Sequence, residues 1–246
     1  MPEEWKKRGS VSCIQRDERD LFMKLSEILY ERVRDLWKET AKKPFVTEMA
    51  EGSLDPERFR TYMLQDYLYL LDYIDILQKM LRLAEEPDLK DFLGNIIEET
   101  QKETDRVHLP SMRRIGICDE EIADSKRIEA VAAYVEYMRR LPEEEGLLAG
   151  LTALLQCSWI YAYIGQVMME NYAETMEGSP YKSWFDAYTC REYLETNQRW
   201  IDFVDEKAQG IDSEGTEKLC QIFEHCATCE NHLWDVLYEK GTFDYN

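Results

Sequence analysis

The chain has 246 residues, and its 50 acidic residues against 30 basic residues give a formal net charge of −20. Such a charge argues against binding to nucleic acid or to an anionic membrane surface, because affinity for phosphate groups comes from lysine and arginine. The seven cysteines form no disulfide-scaffold pattern and the N-terminus has no apolar signal segment, which together predict free thiols in a cytoplasmic protein.

Residues 1–16 are predicted to form a flexible N-terminal tail. Residues 17–246 are predicted to form a single all-helical domain, because the composition changes nowhere along them and no strand-like alternation occurs. The first helix is predicted over 17–42, and Pro44 interrupts it. Its predicted inward face consists of Phe22, Leu25, Ile28, Leu29, Val33 and Leu36.

A second long helix is predicted to begin at Asp55 and Pro56, which are typical of an N-cap and a first helical position. Apolar residues recur along it with the helical period, and Asp66 lies in a gap in that stripe. We therefore expect the carboxylate of Asp66 to face the core, where a charge is costly unless it is paired or functional. The stripe consists of Phe59, Tyr62, Met63, Tyr69, Leu70, Tyr73, Ile76, Leu77 and Met80.

The next two helices are predicted over 88–115, ended by Gly116, and from Asp124 or Ser125 to Leu141, before Pro142. In the first of them Asp105 and His108 have the spacing of half a carboxylate-bridged di-iron site. No matching carboxylate-x-x-histidine occurs on another helix, which weakens that interpretation.

The segment 146–169 contains no charged residue and is long enough to cross a bilayer. Acidic residues bound it on both sides and polar residues interrupt it, so the sequence favours the central helix of a large core. Cys157 and Tyr161 lie on one face of this helix. A thiol there is either a nucleophile or a small apolar filler, and no adjacent histidine or lysine lowers its pKa.

After a turn at 178–180, helices are predicted over 181–187, 190–209 and 213–240. Glu230 lies inside an apolar stripe of the last helix, so a second carboxylate is predicted to face the core. A zinc site at the cluster His225, Cys226, Cys229 and His232 has little support, because structural zinc sites usually combine two separated pairs of ligands. The apolar stripe consists of Leu219, Ile222, Phe223, Cys226, Leu233, Trp234 and Leu237.

Four segments in register resemble the TenA/thiaminase II family over about residues 20–240. Gln-Asp-Tyr-x-Tyr-Leu occurs at 65–70 and Leu-Leu-x-Cys-x-Trp-x-Tyr at 154–161. Tyr-x-x-Trp-x-x-x-Tyr follows at 181–188, and Glu-x-x-Leu-Trp at 230–234. The sequence departs from common family residues at Gln156, Cys229 and Leu233, where a proline, an aromatic residue and a phenylalanine often occur.

The resemblance implies a single-domain heme-oxygenase-like helical bundle that assembles as a homotetramer. It implies an aminopyrimidine aminohydrolase of thiamine salvage, which needs no cofactor or metal and in some members cleaves thiamine itself. By position, Cys157 matches the nucleophile, Glu230 the acid/base carboxylate, and Asp66 the aspartate that holds the aminopyrimidine. Tyr69, Tyr134, Tyr161 and Tyr188 match pocket tyrosines, with Leu233 beside them.

In this interpretation Asp66 binds the ring of 4-amino-5-aminomethyl-2-methylpyrimidine, Cys157 adds to a ring carbon and Glu230 protonates the departing amine. Tyr161 is expected to orient the thiol or hydrogen-bond to it. Two other classes of protein stay open. One is a heme-oxygenase-like metal-dependent oxidase, and the other is a non-catalytic relative that binds a pyrimidine without consuming it.

Overall fold

The computed structural model describes residues 23–240, and these contain twelve α-helices, one π-helical segment and no strand. The all-α prediction is therefore confirmed. The π-helical segment, Thr104–His108, lies between α4 and α5. The α-helices are α1 Leu25–Thr40, α2 Pro44–Glu51, α3 Pro56–Leu83, α4 Pro87–Glu103, α5 Leu109–Arg114, α6 Asp119–Asp124, α7 Glu129–Glu144, α8 Leu147–Asn171, α9 Ala173–Met176, α10 Lys182–Thr189, α11 Arg191–Lys207 and α12 Ser213–Lys240.

Helix α8, which contains the uncharged segment up to residue 169, lies at the centre of the fold and packs against α1, α3, α7, α10, α11 and α12. It is long and apolar enough to cross a membrane, but 83% of its most apolar window is buried inside the protein. This burial agrees with the predicted core helix. Buried side chains from α1 to α12 form one continuous core around it.

Two boundaries of the first predicted helix need correction. The predicted tail over 1–16, residues 17–22 and the inward position Phe22 lie outside the described residues. Met23 and Lys24 are not helical, so α1 begins at Leu25 and not at residue 17 as predicted. Pro44 does more than end a helix, because it occupies the first position of a short helix, α2, that the sequence did not predict.

The helix predicted from Asp124 or Ser125 to Leu141 begins later and ends later than expected. Residues 119–124 form the short helix α6, and the extended segment after it is held by Gln65 on α3. The Gln65 amide donates to the Lys126 carbonyl at 3.0 Å and accepts from the Ile128 N–H at 2.9 Å. This side chain replaces helical hydrogen bonds there, so α7 starts only at Glu129.

Pro142 lies inside α7 instead of stopping it, because it falls in the last turn and packs against α8. The partner is Gly150, where an added Cβ would lie 2.7 Å from Cγ of Pro142. The glycine therefore lets α8 approach the proline ring more closely than a residue with a side chain would allow.

Candidate active site

A cavity of about 470 Å³ lies between α3, α4, α8, α10 and α11. Five of the predicted site residues line it, and they come from three helices: Asp66, Tyr69, Cys157, Tyr161 and Tyr188. Most of its exposed wall is apolar or aromatic, and polar and charged side chains from several helices interrupt it. This composition is typical of a pocket for a small molecule.

The thiol of Cys157 is held by Tyr69, whose hydroxyl donates a hydrogen bond to Sγ at 2.8 Å. The expected partner was Tyr161, one turn along α8, so the hydroxyl that reaches the sulfur belongs to a different helix. Burial raises the pKa of the Cys157 thiol well above its usual value, and the nearby charge of Glu230 raises it too, whereas the Tyr69 hydrogen bond lowers it. The free site therefore holds a neutral thiol.

Glu230 is only 1% exposed and stands in the apolar face of α12, as its place in the sequence predicted. Burial raises its pKa to about 8, opposed by hydrogen bonds with Cys157 and Tyr134. Its Oε2 atom is buried without a hydrogen-bond partner. A carboxyl group in this environment stays protonated at neutral pH, which is the state a general acid requires.

Glu230 and Leu233 line a second cavity of about 10 Å³ rather than the large one. Asp66, Tyr69 and Tyr161 line both cavities, so the two spaces are neighbours that share these three side chains. The predicted acid, Glu230, and the predicted nucleophile, Cys157, therefore line two neighbouring cavities.

Asp66 is 8% exposed and accepts a hydrogen bond from His108, with 2.7 Å between Oδ2 and Nε2. The sequence predicted that this carboxylate faces inward but did not predict its partner. His108 was considered only as half of a di-iron site with Asp105, and Asp105 is exposed. Asp66 is therefore a buried, paired carboxylate, in contrast to Glu230.

Tyr134 differs from the other predicted pocket tyrosines because it lines neither of the two cavities. Its hydroxyl donates to Oε1 of Gln156 at 3.2 Å, and its ring stacks on that of Tyr69 with 6.1 Å between centroids. Gln156 is fully buried, and its Nε2 atom has no hydrogen-bond partner. These residues support Tyr69 and Glu230 from behind.

An aromatic wall closes the end of the cavity near Cys157. The rings of Tyr161 and Tyr188 lie 4.9 Å apart, and Trp184 packs on Tyr188 at 4.6 Å. Trp184 is fixed by a hydrogen bond of 2.8 Å from Nε1 to the Tyr62 hydroxyl. Rings held in this way offer flat apolar surfaces suited to a heteroaromatic ligand.

The sequence missed the wall of the large cavity that α4 and α11 contribute. The cavity-lining faces of these two helices carry charged and polar residues, which are typical of a surface exposed to solvent. These faces line the cavity because α4 packs against α3 and α11 packs against α8. Glu103 on this wall is half-buried, and burial raises its pKa. The lining residues from α4 and α11 are Phe92, Asn95, Ile96, Glu99, Thr100, Glu103, Glu192, Tyr193, Thr196, Arg199 and Trp200.

The two metal clusters considered from the sequence do not assemble. Within residues 23–240, no group of three or more histidine, cysteine, aspartate or glutamate residues comes together in a way that could hold a metal ion. In the cluster on α12, Cys229 Sγ lies 3.6 Å from His225 Nε2, whereas His232 is exposed and Cys226 is buried.

An all-helical fold with a buried thiol, a protonated carboxyl group and a paired carboxylate beside one aromatic cavity has the groups that nucleophilic and acid–base chemistry on a small flat molecule requires. A family model described as the TENA/THI-4/PQQC family matches residues 30–240, and the chain belongs to this family. The predicted family is thereby confirmed.

Individual proteins agree with this assignment. The chain is 29% identical over 224 residues to a protein of Halalkalibacterium halodurans named aminopyrimidine aminohydrolase, covering 91% of this chain and all of the relative. A TenA homologue from P. horikoshii OT3 superposes with a TM-score of 0.75 at 24% identity, covering 88% of this chain and 99% of that one. A protein of Shewanella denitrificans described as having a heme oxygenase-like fold gives 0.70 at 14% identity, with 89% and 94% covered. The predicted heme-oxygenase-like fold is confirmed.

Proposed function

We propose that this protein is a thiamine-salvage hydrolase that converts 4-amino-5-aminomethyl-2-methylpyrimidine and water into the hydroxymethylpyrimidine and ammonia. Family membership and the names of its relatives support this activity. The observation that carries the proposal is the position of a buried thiol next to a protonated carboxyl group. The thiol of Cys157 lines the large cavity, and Glu230 lines the small cavity that shares three residues with it.

The pyrimidine ring would bind at the end of the cavity where Asp66 and the aromatic wall lie. The carboxylate of Asp66 would accept hydrogen bonds from the exocyclic 4-amino group and a protonated ring nitrogen, which makes the ring more electrophilic. Tyr161 and Tyr188 would contact the ring through their faces. The aminomethyl group then points toward Glu230 and a ring carbon toward Cys157.

In the first step the protonated Glu230 gives its proton to the leaving nitrogen and, now ionised, accepts the proton of the Cys157 thiol, and the thiolate adds to the ring carbon. The Tyr69 hydroxyl stabilises the negative charge on sulfur before the S–C bond forms. The electron pair that the addition places on the ring then breaks the exocyclic C–N bond, and ammonia departs, leaving an exocyclic methylene on the ring.

In the second step water adds to the exocyclic methylene, and the ring recovers its aromaticity by expelling the sulfur. Glu230 gives its proton to the departing sulfur and accepts the proton of the added water, which restores the Cys157 thiol and the protonated carboxyl group. One water is consumed and one ammonia released, and both catalytic groups regain their initial protonation states.

The test is ammonia release from the aminomethylpyrimidine by the wild type, by Cys157→Ser and by Cys220→Ser. Cys220 is also buried but lines neither cavity, so the same chemical change there controls for loss of packing. We expect wild type and Cys220→Ser to turn over, and Cys157→Ser to bind the pyrimidine without releasing ammonia. Equal turnover by Cys157→Ser would remove Cys157 as the nucleophile.

The same assay separates the alternative classes. A wild type that binds the pyrimidine and releases no ammonia would be the non-catalytic relative. Iron in the purified protein, measured by elemental analysis, would favour the metal-dependent oxidase. Thiamine is included as a second substrate, because the cavity of about 470 Å³ has room for a ring-sized leaving group.

We also propose that residues 17–246 form one catalytic domain in a cytoplasmic homotetramer. Buried side chains from α1 to α12 share one core, which supports a single domain. The cysteines among the described residues are free, as expected in a reducing compartment. Light scattering after size exclusion gives the number of subunits, and a monomer would contradict the tetramer.

A further inference from the structure

The proposed reaction leaves one buried titratable group beside the site without a role. His108 is 6% exposed and lines neither cavity, yet its Nε2 atom lies 2.7 Å from Oδ2 of Asp66. It therefore contacts a binding group without touching the ligand.

An irregular turn of helix brings His108 to Asp66. Positions buried along this part of the chain are spaced by four residues, whereas an α-helix at 3.6 residues per turn would drift by about 160° over four such steps. The wider π-helical segment Thr104–His108 absorbs the drift and keeps His108 on the inward face. The buried positions are Ile96, Thr100, Thr104, His108 and Met112.

The sequence explains why the turn widens at this place. Pro110 has no N–H to donate to the carbonyl of Arg106, and its ring would clash with that carbonyl in an α-helix. Thr104 donates its hydroxyl to the Thr100 carbonyl at 2.6 Å, a side-chain bond that often bends helices. The π-helical segment thus follows from Pro110 and Thr104, and it forms although it costs regular α-helical hydrogen bonds.

The second ring nitrogen of His108 faces another carboxylate of the cavity. Nδ1 is buried without a hydrogen-bond partner and lies 3.9 Å from Oε1 of Glu103. Glu103 and Asp66 both line the cavity. The imidazole therefore stands between two carboxylates that belong to different helices.

Resting on the proposed function, we propose that His108 is a positioning residue that fixes Asp66 through Oδ2 and presents Oδ1 to the aminopyrimidine. Its positive charge offsets those of Asp66 and Glu103, which would otherwise repel each other across the end of the cavity. This arrangement keeps Asp66 in one orientation before the ligand arrives, so that the ligand does not have to order it.

The charges around His108 favour its protonated form. Burial lowers the pKa of His108, but the hydrogen bond and charge of Asp66 and the charge of Glu103 more than offset this, so the net pKa lies above its usual value. Asp66 acts from α3 and Glu103 from the end of α4. On α5 the residue that continues the buried face is Met112, which carries no charge.

The variants that test this role are His108→Gln, His108→Ala and His232→Gln. Glutamine can place a neutral donor near the position of Nε2, so it keeps the hydrogen bond and removes the charge. Alanine removes both. His232 is exposed on α12, which makes it the matched control for a histidine change.

We expect His108→Gln to raise KM and to weaken binding of the hydroxymethylpyrimidine by about tenfold, with a smaller loss of kcat, and His108→Ala to lose more of both. The affinity ratio of wild type to His108→Gln should fall as pH rises through the His108 pKa, since the wild type then loses the same charge. The ratio cancels the titration of the ligand. An affinity, KM and pH dependence equal to those of the wild type in His108→Gln would overturn the proposal.

Nuclear magnetic resonance gives a second readout, because the chain has only three histidines. We expect the His108 ring signal to titrate with a raised pKa, to titrate lower in Asp66→Asn, and to shift when the hydroxymethylpyrimidine binds. A His108 pKa unchanged by Asp66→Asn, or a signal unmoved by bound ligand, would overturn the proposal even if the histidine variants failed to fold. Absence of ammonia release by the wild type would instead refute the proposed function.

Discussion

The two buried carboxylates of the site differ in what surrounds them. Asp66 on α3 is met by the imidazole of His108, whereas Glu230 on α12 has an unpartnered oxygen among Cys157, Tyr134 and apolar side chains. The same kind of group is therefore held as a charged hydrogen-bond acceptor on one wall and as a proton donor on the other. The environment supplied by neighbouring helices, not the residue type, assigns each carboxylate its role.

The largest effect that sharpens this comparison should come from Glu230→Gln. Glutamine keeps the shape but cannot exchange a proton with Cys157 or the leaving amine, so we expect kcat to fall about 10²–10⁴-fold. Binding of the hydroxymethylpyrimidine should change little, because Asp66 would provide its main polar contact. Glu214→Gln, an exposed change on the same helix, serves as the control. Turnover near that of the wild type in Glu230→Gln would refute the assigned acid.

The same substitution should stabilise the fold at alkaline pH. A carboxyl pKa raised from 4.5 to about 8 means that the unfolded chain releases this proton first. The wild type therefore loses stability as pH rises through that window, by roughly 5 kcal/mol at most. Urea unfolding at several pH values should show the free energy of unfolding of Glu230→Gln rising relative to that of the wild type between pH 4.5 and about 8. A constant difference would mean that Glu230 is ionised in the folded protein.

A smaller effect is expected from Tyr69→Phe, which removes the hydroxyl that donates to the Cys157 sulfur. The loss of one hydrogen bond to a developing thiolate should lower kcat/KM by roughly tenfold. The thiol pKa should rise further, so alkylation of Cys157 by iodoacetamide should slow as well. Tyr163→Phe, in the aromatic packing around Trp37, is the matched control. An alkylation rate in Tyr69→Phe equal to that of the wild type would show that the Tyr69 hydroxyl does not activate the thiol.

Regular helices made half of this site predictable from the sequence. Asp66 and Glu230 interrupt apolar stripes of the helical period, so their burial followed from the position of each residue on its own helix. The central role of α8 followed in the same way from the absence of charge over residues 146–169. Each of these inferences needs only information within one element.

The other half depends on contacts between distant segments. Tyr69 reaches Cys157 across 88 positions of the chain, and His108 reaches Asp66 across 42. Periodicity indicates which face of a helix is inward, but not which inward residues meet, so Tyr161 was assigned the contact that Tyr69 makes. Pro110 was the available sequence signal for the widened turn at His108.

The central claim is that Glu230 is protonated at neutral pH while Asp66 is a paired carboxylate. Infrared difference spectra between the wild type and Glu230→Gln, recorded over a range of pH, measure the protonated carboxyl group of Glu230 directly. The account predicts a protonated carboxyl band that is absent from Glu230→Gln and disappears with a midpoint near pH 8. A wild type without that band about two pH units below this midpoint would contradict the account.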